Sequence, residues 1–180
     1  MDSATTYVFL AGIGNSGPEH WQSRWRGRVA RAVWVEHDSW DNPVREVWVR
    51  ELDDALAAIE GPKLLIAHSL GCSLVAEWAA EHEDETVVGA FLVAMPDVHG
   101  DDFPAEAVGF GAPPGLRLPF RTVVVTSEDD PYGSLEFASA AAERLGARLV
   151  NVGRRGHINA ASGLGDWPEG WSIFDDAFTR

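Results

Sequence analysis

The sequence of 180 residues is poor in cysteine and in basic residues, and it lacks a long apolar run. Its single cysteine, Cys72, excludes an internal disulfide and a zinc finger. The 14 Lys and Arg residues against 28 Asp and Glu give a net charge of −14, which argues against nucleic acid or a membrane surface as a partner. No apolar run approaches the roughly 20 residues of a membrane span. The first six residues lack the basic segment of a secretory signal.

These absences predict a cytoplasmic protein whose partner is a small molecule, and they leave its oligomeric state open. Lys63 is the only lysine in the sequence, a bias towards arginine that we attribute to bacterial codon usage. With 46% hydrophobic and 23% charged residues, the composition is typical of a globular protein. The length fits a single domain over residues 1–180.

Short apolar runs alternate with amphipathic segments along the chain. The apolar runs predict six strands, at residues 6–10, 32–36, 63–67, 87–94, 121–126 and 148–152. The amphipathic segments predict helices at residues 19–31, 43–60, 70–82, 135–145 and 172–178. This alternation predicts an α/β fold, a doubly wound and mostly parallel sheet with helices on both faces. Right-handed crossovers give the strand order 2-1-3-4-5-6.

The third strand leads into Ala67-His68-Ser69-Leu70-Gly71, and a helix follows. This pattern is typical of a nucleophile elbow, in which a serine stands on a strained turn between strand and helix. The residues two before and two after the serine must be small, because strand and helix pass close together there. Ser69 at the N-cap of an ordinary helix is the plainer alternative. We expect Cys72, one position beyond this motif, to be a core residue rather than the nucleophile.

A serine nucleophile needs a base, and we assign that role to His157, in a glycine-rich loop after the sixth strand. His20 and His99 are the alternatives, since both lie in loops that could reach the site. His68 is expected to point away from Ser69, because neighbouring residues of a strand face opposite sides.

The base in turn needs a carboxylate, and the loop after the fifth strand offers two adjacent ones. We favour Asp130 over Asp129, because Pro131 fixes the backbone directly after it. Asp97, after the fourth strand, is the alternative.

The glycine-rich loop at residues 11–17 follows the first strand, which the strand order places beside the third. We expect the backbone N–H groups of Ile13 and Leu70 to form an oxyanion hole. Gly12 and Asn15 are expected to contact the substrate. The same loop also matches the letters G-x-G-x-x-G of a dinucleotide-binding fingerprint, which leaves a nucleotide-binding oxidoreductase as a minor alternative.

No separate cap domain fits beside six strands and their helices. The stretch at residues 96–119 is the only segment that could cover the site, as a loop or as short helices. We therefore expect a shallow site that prefers short acyl groups, flanked by Trp21 and by Phe103 or Phe110. Trp167 is a further candidate for its wall.

Three short motifs together resemble a known family. They are Ala67-His68-Ser69-Leu70-Gly71, Asp129-Asp130-Pro131 and Gly156-His157-Ile158-Asn159. The combination is similar to the small serine hydrolases typified by retinoblastoma-binding protein nine and the bacterial YdeN-like proteins. The resemblance implies a compact α/β-hydrolase fold without a cap, and the roles of nucleophile, acid and base for Ser69, Asp130 and His157. The sequence lacks an L-x-C-x-E motif, so binding to the retinoblastoma protein is not implied.

The sequence thus predicts a hydrolase of a small ester, thioester or amide that works through a Ser-His-Asp triad and an acyl-enzyme, without metal or cofactor. The alternative is a binding protein that keeps the fold but whose activity is vestigial. A complete triad favours the enzyme, whereas a blocked Ser69 favours the binding protein.

Overall fold

A computed structural model describes residues 5–111 and 115–179 of the chain. It contains one sheet of six strands: β1 (Thr6–Leu10), β2 (Ala32–Trp34), β3 (Lys63–His68), β4 (Val87–Val93), β5 (Arg121–Thr126) and β6 (Arg148–Asn151). Every pair of neighbouring strands is parallel, and the order is β2-β1-β3-β4-β5-β6. The predicted fold class and strand order are confirmed. Because all strands run the same way, their carboxyl ends and the loops that follow them meet at one edge of the sheet.

Five α-helices connect the strands: α1 (Trp21–Arg26), α2 (Arg45–Ala57), α3 (Leu70–Ala79), α4 (Leu135–Leu145) and α5 (Pro168–Phe178). Buried side chains of α2, α3 and α4 pack on one face of the sheet, and those of α1 and α5 pack on the other. The two layers differ in composition. The layer under α1 and α5 is dominated by aromatic rings, whereas the opposite layer is mostly aliphatic.

Every helix except α4 differs from the sequence prediction at one or both ends, and α2 and α3 each end three residues earlier than expected. The first is shorter, because the chain leaves the helix at the C-cap residue Gly27. The last begins four residues earlier than expected, because Pro168 occupies its first turn, where a missing N–H costs nothing. A short 3₁₀ turn at Ala160–Ser162 was not predicted.

The segment at residues 96–119 forms no helix or strand in its described part, and residues 112–114 lie outside that part. Ala107, Phe110 and Leu118 anchor it to the aliphatic layer. Val108 makes an isolated bridge to Val44. Residues 1–4, four of the six on which the expectation of no secretory signal depends, also lie outside the described part. Among the helices of the described ranges, none is long and apolar enough to cross a membrane.

Candidate active site

Ser69 occupies a strained turn between β3 and α3. Its backbone angles are φ 54° and ψ −126°, a conformation that non-glycine residues rarely adopt. The turn is tightly packed, since a Cβ added at Gly71 would lie 2.4 Å from the carbonyl oxygen of Leu10. On the strand side, Ala67 is fully buried and pairs with Leu10. The small residues at positions 67 and 71 therefore let the chain turn sharply enough to present the serine at the sheet edge.

The structure brings Ser69, His157 and Asp130 into one chain of hydrogen bonds. His157 Nε2 lies 2.8 Å from Ser69 Oγ, and His157 Nδ1 lies 2.9 Å from each carboxylate oxygen of Asp130. A carboxylate can only accept hydrogen bonds, so Nδ1 carries the ring proton and donates it to Asp130, and Nε2 is left to accept the serine hydroxyl proton. Asp130 is almost fully buried, while Ser69 remains partly accessible.

The two adjacent aspartates face different partners. Asp130 points at the imidazole, and its Oδ1 also accepts the backbone N–H of Tyr132 at 3.0 Å. Asp129 instead accepts the backbone N–H of Gly156 at 2.8 Å and the hydroxyl of Ser127 at 2.9 Å. Asp129 therefore holds the backbone directly before His157. The hydrogen bond from Gly156 is also the largest cause of the lowered pKa of Asp129.

Two buried side chains fix the rest of the loop that carries His157. His68 Nε2 donates to the carbonyl oxygen of His157 at 2.9 Å, so this ring turns towards the loop and not towards Ser69. Trp21 Nε1 donates to the carbonyl oxygen of Ile158 at 2.9 Å. Trp21 is only 1% exposed and packs edge-on to Trp25 and Trp167. The expectation that Trp21 or Trp167 lines the substrate pocket is wrong, because both belong to the aromatic layer.

The first loop lies against the nucleophile. A Cβ added at Gly12 would come within 2.9 Å of Ser69 Cβ and 3.3 Å of the backbone nitrogen of Leu70. Within the described residues, the N–H groups of Ile13 and Leu70 donate to no protein acceptor. Buried Gln22 anchors the loop to the sheet. Its Oε1 accepts the hydroxyl of Ser16 at 2.8 Å, and its Nε2 donates to the carbonyl oxygens of the strand residues Leu10 and Ile66, each at 3.0 Å. Sequence reasoning missed this glutamine, whose only signal is a polar residue on an otherwise apolar helix face.

Two cavities meet at Ser69 and share Ile13, His157 and Asn159. The larger, of about 260 Å³, is mostly apolar. Its remaining lining residues are Leu70, Pro96, Phe103, Pro104 and Tyr132. The smaller, of about 110 Å³, is polar. Its remaining lining residues are Gly12, Asn15, Ser16, His20 and His68. Gly12, Asn15 and Phe103 thus lie where the sequence analysis expects substrate contacts, whereas Phe110 packs on Trp48 in the core.

Tyr132 and Asn159 were missed as lining residues. Tyr132 packs edge-on to the ring of His157, with centroids 4.7 Å apart. Its only sequence signal is its place two residues after Asp130, where the carboxylate can accept its backbone N–H in a turn.

The alternative base and acid lie elsewhere. Asp97 and His99 line a separate cavity of about 460 Å³ on the far side of Pro96, which does not contain Ser69. Cys72 is fully buried, as expected of a core residue, and its thiol donates to the carbonyl oxygen of Val93 at 3.2 Å. Burial raises the pKa of this thiol far above its usual range, which keeps it protonated and unreactive.

The loop that matches the dinucleotide fingerprint does not pack as that motif requires. Its third glycine should allow close contact between helix and strand. Here Gly17 has no heavy atom within 4 Å of an added Cβ, and α1 begins only at Trp21. The described residues also contain no group of three or more His, Cys, Asp or Glu side chains that could hold a metal ion.

A strained serine on a strand–helix turn, linked through a histidine to an aspartate on a parallel sheet, defines the site of an α/β-hydrolase. The family model for serine hydrolases matches residues 7–176, and the chain therefore belongs to the serine hydrolase family.

Several solved structures have a similar fold. A YdeN-like hydrolase from Pectobacterium atrosepticum is 27% identical with a TM-score of 0.84, over 97% of this chain and 90% of that one. The ydeN gene product of Bacillus subtilis is 19% identical with a TM-score of 0.75, over 98% of this chain and 100% of that one. A structure described as an aryl esterase from Burkholderia cenocepacia is 14% identical with a TM-score of 0.72, over 98% and 92%. No curated protein sequence matches the chain.

Proposed function

We propose that this protein cleaves a small ester, thioester or amide through an acyl-enzyme on Ser69. The observation that carries the proposal is the hydrogen-bonded chain from Ser69 Oγ through the His157 ring to Asp130, at 2.8 and 2.9 Å. It stands at the junction of two cavities, so a substrate can reach it. The membership in the serine hydrolase family supports the same chemistry.

In the first half of the reaction, Ser69 Oγ attacks the acyl carbon while His157 Nε2 takes the hydroxyl proton. Asp130 holds the imidazole in the required tautomer and stabilises the imidazolium that forms. The N–H groups of Leu70 and Ile13 are the proposed donors to the oxyanion, aided by the N-terminus of α3. His157 then gives its proton to the departing alcohol, thiol or amine. In the second half, His157 takes a proton from water, and the water oxygen attacks the acyl carbon. The bond from that carbon to Ser69 Oγ then breaks, His157 returns its proton to Ser69 Oγ, and the free acid leaves.

The cavities favour a small uncharged substrate. The larger one is bounded by Phe103, Pro104 and Tyr132 and has room for an aromatic ring or a few methylene groups. Its described lining residues include no Asp, Glu, Lys or Arg. We infer that the substrates are short acyl esters or aryl esters rather than long-chain lipids. A cytoplasmic location is part of this proposal, because a single buried cysteine is compatible with a reducing compartment.

A fluorophosphonate probe followed by peptide mapping tests the proposal. We expect one adduct, on Ser69, and none in the Ser69→Ala variant, together with hydrolysis of 4-nitrophenyl acetate by the wild-type protein only. An adduct on another residue contradicts the assignment of the nucleophile. An adduct on Ser69 without turnover of any ester, thioester or amide favours the binding protein with vestigial activity.

A further inference from the structure

His20 is a buried histidine that the reaction described above does not use. It is the N-cap of α1, and its Nδ1 accepts the backbone N–H of Gln22 at 3.2 Å. A neutral ring that accepts at Nδ1 carries its proton on Nε2. The residue is 4% exposed, and Nε2 has no hydrogen-bond partner among the described residues. A buried N–H donor without a partner costs about 1–3 kcal/mol, so this one calls for an explanation.

The position of the ring points to the active site. His20 lines the 110 Å³ cavity beside Ser69, and its ring centroid lies 4.6 Å from that of His68. Burial, and then the proximity of His157, lower the pKa of His20 to about 4, so the ring is neutral at physiological pH. The pKa of His68 is lowered well below its usual value by the same burial.

The rest of the cavity is polar but uncharged. Its lining residues include Asn15, Ser16 and Asn159. No Asp, Glu, Lys or Arg contributes to it. Such a wall can donate and accept hydrogen bonds, but it offers no partner for an ionic group. An engineered cavity of about 150 Å³ accommodates benzene, so a cavity of 110 Å³ holds a group of about three or four non-hydrogen atoms.

The two cavities therefore differ in polarity on the two sides of a bond at Ser69. One is apolar and walled by Phe103 and Pro104, and the other is small and polar. A substrate with an apolar group on both sides would leave the His20 N–H buried without a partner. A substrate with a hydrogen-bond acceptor on one side would satisfy it.

We propose that the cavity lined by His20, Asn15 and Asn159 is a second substrate subsite, which selects a small uncharged group bearing an oxygen acceptor for the His20 Nε2–H. This inference rests on the proposed hydrolase function. It makes His20 a residue that determines specificity and not a catalytic one. The acceptor-bearing group can belong to the acyl side or to the leaving alcohol, and the two arms of the test distinguish them.

The test compares pairs of esters that have the same shape and differ in one oxygen atom. The acyl arm uses 4-nitrophenyl methoxyacetate against 4-nitrophenyl butanoate, and the alcohol arm uses 2-methoxyethyl phenylacetate against butyl phenylacetate. The ratio of kcat/KM within each pair is measured for the wild type and for His20→Met, which keeps the length of the side chain but lacks a donor. Differences in intrinsic reactivity and in active-enzyme concentration cancel when the two ratios are compared.

We expect the ratio to fall about tenfold in His20→Met in one arm, the size of one lost hydrogen bond. His20→Gln keeps an N–H donor and should retain the wild-type ratio. His99→Met should also retain it, because His99 is exposed and lies outside both cavities. An unchanged ratio in both arms of His20→Met overturns the proposal and leaves the cavity as a site for water only.

A second measurement tests the proposal even if His20→Met does not fold. In wild-type protein labelled with ¹⁵N-histidine, methoxyacetamide should shift the His20 Nε2–H resonance, and butanamide should not. Equal responses to the two amides overturn the subsite. If the wild type hydrolyses none of the four esters, the proposed function fails, whereas the NMR comparison still tests the subsite independently.

Discussion

The two loops that meet at the active site are held in place by different means. The elbow at Ser69 is fixed by close backbone packing, and a single carbon added at Gly71 would meet the carbonyl oxygen of Leu10 at 2.4 Å. The loop that carries His157 is fixed by side chains from elsewhere. Trp21 and His68 donate to its carbonyl oxygens at Ile158 and His157, and Asp129 accepts the N–H of Gly156.

This difference matters because the two loops have different tasks. The nucleophile must keep a backbone conformation that is unfavourable in itself, so rigid packing has to enforce it. The base must keep a ring orientation, which hydrogen bonds at several points of its loop can set. We therefore expect changes at the elbow to act on folding, and changes around the histidine loop to act mainly on the reaction.

The largest expected effect distinguishes Asp130 from its neighbour Asp129, in the loop that faces His157. Asp130→Asn should reduce kcat/KM for a short aryl ester by about ten-thousandfold, because the imidazole loses the carboxylate that selects its tautomer. Asp129→Asn should cost less than about tenfold, because the amide oxygen can still accept the N–H of Gly156. Steady-state kinetics of both variants measure the two losses in kcat/KM. A larger effect at Asp129 would contradict the assigned acid.

The next largest effect is steric and lies at the elbow. Gly71→Ala should lower the free energy of unfolding by about 3 kcal/mol, because its Cβ meets backbone atoms of β1 that cannot turn away as a side chain can. Gly17→Ala is the matched control, since an added Cβ there has no neighbour within 4 Å, and it should change stability by less than about 0.5 kcal/mol. Urea unfolding measures both. A loss below about 1 kcal/mol at Gly71 would show that α3 can move away from the sheet.

The same contrast explains how much could be predicted from the sequence. The elbow is local, since small residues at positions 67 and 71 around Ser69 follow an apolar strand and precede a helix. Crossover handedness then fixed the strand order, and with it the first loop beside the elbow. The chain order of acid and histidine after β5 and β6 placed Asp130 and His157 at the same edge.

The supports of the histidine loop were not predictable, because they join residues far apart in the chain. Trp21 and Ile158 are 137 positions apart, and His68 and His157 are 89 apart. A tryptophan beside a glycine-rich loop can line a pocket, or it can be buried and donate its N–H to another loop. The local sequence does not distinguish these two cases. The burial of Trp21 is decided by the aromatic layer around it, which depends on the whole fold.

Acidification should lower the stability of the fold around the buried His20. The pKa of folded His20 is about 4, against about 6.5 in an unfolded chain, so the unfolded chain takes up the proton first as the pH falls. The stability that depends on neutral His20 is present above pH 6.5 and is lost as the pH falls towards 4. Between pH 7.5 and 5.0 we expect this residue to account for a loss of about 2 kcal/mol.

The free energy of unfolding in urea is measured at both pH values for the wild type and for His20→Gln, whose side chain cannot take up a proton. His68 and His157 face His20 and remain in both proteins, so their contributions are largely shared. The wild type should lose more stability on acidification than the variant. Parallel losses would show that His20 is not the group that takes up the proton.

The smallest expected effect sharpens the comparison within the aromatic layer itself. Trp21→Phe keeps an aromatic ring but removes the N–H that holds the carbonyl oxygen of Ile158, and Trp25→Phe removes one that holds the carbonyl oxygen of Asp166. Both variants should lose about 1 kcal/mol of stability for the missing hydrogen bond. Only Trp21→Phe should also lower kcat, by a few-fold with KM unchanged, because Ile158 directly follows the base and sits at φ 48°. Equal kcat values for the two variants would mean that Trp21 stabilises the fold without positioning His157.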